Sequence, residues 1–159
     1  MHIVKYIAAT LCCLLLTAGS WAGPRDQARR IHDRLTGVPP TDAMLDAMEQ
    51  AINGGGGAVA AALYAIDGAP AEPATGDFYT VTLKNWATPW SNEAQDAFAP
   101  LNDYSATVIG AVRDELDFRD ILSADIIYRG AVPGIPAYAG SDNEHYEFLE
   151  ASGRNLGDP

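Results

Sequence analysis

The sequence predicts an all-α protein: an irregular multi-helix domain with Gly/Pro-rich loops, following an N-terminal signal peptide. Three observations carry this. Apolar residues recur three and four apart in several stretches, the spacing of one helix face. Prolines open and glycines close those stretches, as helix starts and stops require. The stretches between them, above all 67–76 and 131–140, are rich in Gly and Pro and read as loops.

The start of the chain is a leader for export. Lys5 supplies the positive region, residues 7–16 the apolar run, and Ser20-Trp21-Ala22 the small residues that a signal peptidase reads. Cleavage is expected after Ala22. The run is shorter than the ~20 apolar residues of a spanning helix. Lipidation at Cys12 is not expected, because Leu11 stands before it where a small residue is needed. The expected organisation is a signal peptide over 1–22, a helical domain over 23–140, and a short C-terminal helix with a tail over 141–159.

The helical domain is built in order. Residues 24–35 form a first helix with Pro24 in its first turn, Ala28, Ile31 and Leu35 on one face, and Gly37 as its stop. Val38-Pro39-Pro40 is an extended connector. Thr41 caps a second helix in which Leu45, Met48 and Ile52 share a face, with Met44 beside it. Asn53 and the run Gly54 to Gly57 stop it as a flexible connector, with no Gly-Lys-Ser/Thr ending that would mark a phosphate loop. A short apolar helix covers 58–66. Residues 78–86 combine strand-like composition with apolar positions that fit a buried helix, and the helical surroundings favour helix. Thr88-Pro89 ends it. A strong helix runs from Asn102 or Asp103 to Leu116, with Tyr104, Val108, Ile109 and Val112 on its core face. Asp117 is expected to cap a further helix through Tyr128, stopped by Gly130. A last short helix lies within 141–150.

Composition narrows the function classes. The chain carries 21 acidic against 10 basic residues, a net charge of −11, and losing Lys5 with the leader makes it one unit more negative. Such a surface repels phosphates, so no nucleic acid partner is expected. Both cysteines, Cys12 and Cys13, lie in the leader. The mature chain therefore has no disulfide, no thiolate metal site, no cysteine nucleophile and no C-x-x-C-H haem attachment. No membrane span is expected after signal cleavage.

Two ordered stretches resemble a known family. Leu35-Thr36-Gly37-Val38-Pro39-Pro40-Thr41 is similar to the Leu-Thr-Gly-Leu-Pro-Pro-Thr signature of a helical domain of unknown function in planctomycete-type cytochrome c-associated proteins. Downstream, Asp103-Tyr104-Ser105-Ala106-Thr107-Val108-Ile109 resembles that family's Tyr-Arg-Asp-Trp-Val-Ile segment. The run from Ala111 to Leu122, with its Asp117-Phe118 pair, resembles the segment that follows, and Ser123-Ala124-Asp125-Ile126-Ile127 resembles its closing Ala-Gly-Asp-Leu-Leu. The likeness spans roughly residues 28 to 130. It departs at Leu83-Lys84-Asn85-Trp86-Ala87, where the family has a helix with acidic and arginine residues. The resemblance implies a cytochrome-associated setting, with haem held only in a missing region or a partner, and the abrupt ending at Gly157-Asp158-Pro159 fits a truncated chain. It assigns no catalytic residue.

Candidate site residues are few. Glu144 and His145, within Asp142-Asn143-Glu144-His145-Tyr146-Glu147, carry metal-ligand chemistry, but neither a calcium-loop alternation nor a second histidine at helical spacing accompanies them. A capped, solvent-facing helix start explains the cluster more simply. His32 sits among Arg29, Arg30, Asp33 and Arg34, a basic face that is solvated or docks an acidic surface. Trp86 and Trp90 bracket Pro89, and either pack in the core or line a ligand groove. His32, Met44 and Met48 would suit non-covalent haem only if one seam turned them all inward. Ser105, Ser123 and Ser141 lack the Gly-x-Ser-x-Gly setting of a nucleophile.

Three readings stay open. The first is an exported, non-catalytic helical module, periplasmic or extracellular, that joins a cytochrome c-like redox or binding assembly through a protein partner or a missing C-terminal region. The others are a metal-dependent hydrolase at Glu144-His145 and a non-covalent haem protein. N-terminal sequencing of exported material checks the leader: the expected first residue is Gly23, and a start at Met1 would refute cleavage.

Overall fold

The computed structural model describes residues 23–158. The leader expected at 1–22 lies outside the described residues. Helices dominate, and the strands amount to one small hairpin, so the fold is all-α and multi-helical as expected.

Helix α1 (Pro24–Thr36) begins with its proline in the first turn and ends at Gly37, in the left-handed conformation. Helix α2 (Asp42–Ala51) is capped by Thr41, whose side chain accepts the Met44 N–H. The glycine run is a kink rather than a slack connector. A π-helical stretch (Ile52–Gly56) carries α2 directly into α3 (Gly57–Asp67), and Gly55 takes φ 92°, which a side chain would resist. The 67–76 loop contains the hairpin, β1 (Gly68–Ala69) paired antiparallel with β2 (Glu72–Pro73).

These elements enclose a first core of Ala28, Met44, Leu45, Met48, Ala61, Ala65 and Ala69. Leu45 and Met48 are almost wholly buried, each contributing about 1.5–3 kcal/mol on removal from water. The alanines let α3 approach α1 and α2 closely. On the rim, Arg25 of α1 pairs with Asp46 and, at 3.1 Å, with Glu49 of α2. Part of the basic helix thus docks on an acidic face of its own chain, while Arg29, Arg30 and Arg34 stay exposed.

The second half builds its own core. A π-helical stretch (Phe78–Leu83) runs into α4 (Lys84–Ala87), confirming helix over strand there. Thr88-Pro89 does not end the run. The coil tightens instead into a 3-10 turn (Thr88–Ser91), which accepts Pro89 in its first turn. Helix α5 (Asp103–Arg113) starts with a reciprocal cap: Asn102 Oδ1 accepts the Ser105 N–H and Ser105 Oγ accepts the Asn102 N–H, each at 3.0 Å. It stops short of Leu116, because Glu115 turns left-handed at φ 54°. Helix α6 (Glu144–Ala151) completes the core, in which Leu83, Ala87, Leu101, Val108, Ile109, Tyr146 and Leu149 pack together.

The helix expected over 117–128 is the main correction. Asp117 does cap, accepting the Arg119 N–H, but only a 3-10 turn (Phe118–Leu122) follows. Residues 123–143 are neither helix nor strand. Leu122, Ile126 and Ile127 are exposed, so a helix there would have no buried face to hold it. The β-branched pair Ile126-Ile127 favours extended backbone, and other parts of the chain take up the backbone groups of this segment.

The two cores share one seam. A methyl group on Gly37 would meet Val81 at 3.3 Å, so α1 ends against the π-helical stretch. The tail also anchors there, with the Leu156 N–H donating to Thr80 Oγ1 at 3.2 Å.

One ion pair ties the second core together. Lys84 is 6% exposed, and its Nζ donates to Glu150 Oε1 at 2.8 Å. The other oxygen, Glu150 Oε2, accepts the Leu101 N–H at 2.9 Å. Burial pushes the Glu150 carboxyl up, but the Lys84 and Leu101 hydrogen bonds outweigh it and leave it below its ordinary value. We predict an asymmetry in urea unfolding. Glu150→Ala strands a buried ammonium and costs about 3 kcal/mol, whereas Lys84→Met leaves a half-exposed carboxylate and costs about 1 kcal/mol. The pair's contribution is complete above the ordinary carboxyl value of 4.5. It is lost as the pH falls through the lower folded value, and Glu150→Gln removes that dependence.

Candidate functional site

Helix α6 places the residues that the sequence singled out, and it uses them structurally. His145 is buried on the inner face. Its Nδ1 lies 2.8 Å from the Pro136 carbonyl, and its Nε2 accepts the Gly130 N–H at 3.0 Å. Nδ1 therefore carries the proton and donates it to Pro136, and both ring nitrogens are engaged by backbone. Glu144, one position earlier, is exposed. The two do not converge, and no group of three or more metal-ligating side chains occurs among the described residues. This geometry does not favour the hydrolase reading.

Tyr146, next in line, is almost wholly buried and donates from its hydroxyl to the Tyr128 carbonyl at 2.9 Å. Burial, reinforced by Asp103, pushes its hydroxyl up to about 12. The Tyr128 N–H donates to Thr107 Oγ1 of α5 at 3.2 Å. Residues 128–136 are thus pinned between α5 and α6 without regular structure of their own.

His32 is also buried. Its Nδ1 lies 3.1 Å from both the Val38 carbonyl and Thr36 Oγ1, fastening the end of α1 to the extended connector. His32 and Met44 border a cavity of about 80 Å³. Met48 belongs to the first core and does not line it. All three side chains are buried, but the space beside His32 and Met44 is far below the several hundred Å³ of ordinary cofactor sites. Ser105 is consumed by its capping role, while Ser123 and Ser141 are exposed.

The tryptophans face outward. Trp86 and Trp90 are 45% and 63% exposed, with ring centroids 5.1 Å apart. Phe118, 48% exposed, joins them at 6.0 Å from Trp86. Helix α4, the 3-10 turn that follows it and the 3-10 turn after α5 therefore present three large rings as a continuous aromatic face. Such a face is uncommon on a protein that works alone.

A second feature lies beside α5. A cavity of about 180 Å³ opens between α5, residues 128–132, Leu149 and the tail. Arg113, Arg129 and Arg154 all border it. The Arg113 guanidinium lies 5.5 Å from the Tyr128 ring centroid and donates to Asp114 at 2.6 and 3.0 Å. The Tyr128 hydroxyl donates to the same carboxylate at 2.7 Å. Arg113 first, and then Tyr128, hold the Asp114 carboxyl down to about 2.

No protein-family model, no curated protein and no solved structure matches this chain.

Sequence reasoning reached Trp86 and Trp90 as a pair but missed Phe118, which it read only as an apolar residue of the helix expected over 117–128. It also missed the three arginines, since 113, 129 and 154 are far apart and follow no local period. The usable signal was scarcity: in so acidic a chain, isolated arginines after residue 80 are few.

The pinning of residues 128–136 is testable by urea unfolding. His145→Phe leaves the Gly130 N–H and the Pro136 carbonyl without partners and is expected to cost about 2–3 kcal/mol. Tyr146→Phe removes one hydrogen bond without a cavity, at about 1 kcal/mol. Equal costs for the two would contradict the assignment.

Proposed function

We propose that this chain is an exported, non-catalytic helical module that joins a redox or binding assembly through its aromatic face. The observation that carries this is the exposed cluster of Trp86, Trp90 and Phe118. Tryptophans dominate the binding energy of protein interfaces, where truncating a central ring costs about 2 kcal/mol or more. The rings stand on helical turns fixed by the second core beneath them, so little order is lost when a partner covers them.

Charge indicates the kind of partner. The chain is strongly acidic, so a partner surface with an apolar centre and a basic rim meets the least repulsion and associates fastest at low salt. The redox character of the assembly is supported by the resemblance around Leu35 to Thr41, whose helix, turn and helix are those of α1 and α2. The stretch after Asp117 lends it less, since it is not helical beyond Leu122. Export, to the periplasm or beyond the cell, rests on the leader.

Site-specific photo-crosslinking in the native host tests the reading. A benzophenone side chain at Trp90 is expected to give one discrete adduct with another protein, weakened by added salt. The same group at Gln50, exposed on α2, is expected to give none. Indistinguishable patterns from the two positions would refute the aromatic interface.

A further inference from the structure

The cavity beside α5 carries an inference independent of the aromatic face. Its inner wall is apolar, formed by Leu101, Ile109 and Leu149, with Leu156 closing it from the tail. Gly110 shapes one side, because the Tyr128 ring lies where a Cβ would stand, 2.1 Å from Cδ1. Only glycine lets that ring close over α5.

The border is cationic. Five basic residues follow residue 80, and three of them, Arg113, Arg129 and Arg154, meet here. The one acidic side chain on the lining, Asp158, accepts a hydrogen bond from Asn155 Nδ2 at 3.0 Å. The sign of the charge at this opening is therefore the reverse of that of the chain. Arg113 is fixed by Asp114, by the Tyr128 ring and by the Asp158 carbonyl at 3.2 Å. Its charge is balanced by the Asp114 carboxylate. Arg129 and Arg154 border the cavity and are exposed, the Arg129 guanidinium lying 5.8 Å from the Tyr138 ring centroid, so a ligand's head group falls to these two.

We propose that this cavity binds a small organic monocarboxylate with a compact apolar body, of which benzoate is the model. The volume sets the body. A dry apolar cavity of about 150 Å³ holds benzene, and this one is about 180 Å³. The arginines set the head group, since a guanidinium grips a carboxylate through two parallel hydrogen bonds. A long-chain fatty acid exceeds the space, and an inorganic anion leaves the apolar wall unfilled.

The test is titration of the mature chain with benzoate, benzyl alcohol and inorganic phosphate, followed by amide chemical shifts. Benzoate is expected to move Ile109, Gly130 and Leu149 and to bind about tenfold or more tighter than either control, the worth of one charged hydrogen bond. The double variant Arg129→Gln/Arg154→Gln alters only exposed side chains, so the fold stands. It is expected to weaken benzoate about tenfold or more and leave benzyl alcohol unchanged. Ala106→Leu, filling the cavity, is expected to abolish both. Benzoate and benzyl alcohol binding equally, phosphate matching benzoate, or no shift at Ile109 with about 10 mM benzoate would each overturn the proposal.

Discussion

The second half of this protein depends on the way α6 holds Leu101. Leu101 is buried at the approach to α5, and both its peptide groups are taken by α6. Its N–H goes to the Glu150 carboxylate and its carbonyl accepts from Asn143 Nδ2 at 2.8 Å. Glu150 in turn neutralises the buried Lys84 of α4. Three helices are thereby fixed through one residue, at a point where a buried peptide group without a partner would be expensive. Among the described residues no buried side-chain nitrogen or oxygen lacks a hydrogen bond, so the polar side chains that the fold encloses are accounted for.

The same helix explains how a long segment without regular structure stays ordered. Ile126 and Ile127 stay exposed, while Val132, Ile135 and Tyr138 pack partly buried against the second core without a helix. His145 and Tyr146 instead fix Gly130, Pro136 and Tyr128. The residues that looked most like a reactive cluster therefore act as a clamp. The consequence is a rigid wall for the arginine-bordered cavity on one side of α5, while Trp86, Trp90 and Phe118 remain outside on the other elements. Two sites of opposite character, one aromatic and open, one cationic and recessed, rest on one core.

The helical class was legible because it follows from local rules. Pro24, Thr41 and Asn102 start helices by supplying what the first turn lacks, and Leu45, Met48, Val108 and Ile109 mark the inward faces. The failure over 117–128 was physical. Its apolar residues have helical spacing, yet only Ile121 packs against the second core while Leu122, Ile126 and Ile127 stay exposed, and a sequence pattern does not reveal that. The role of His145 was hidden for the complementary reason: its partners, Gly130 and Pro136, lie in a segment with no periodic signal. The three arginines of the cavity converge only through tertiary packing.

Native-state hydrogen exchange measures the Leu101 clamp directly. The account predicts that the Leu101 amide, though outside any helix, exchanges only through global unfolding, with the protection of Val108 and Ile109 in α5. Exchange of Leu101 at the rate of an open loop, while α5 stays protected, would contradict it and leave α6 a passive neighbour of the core.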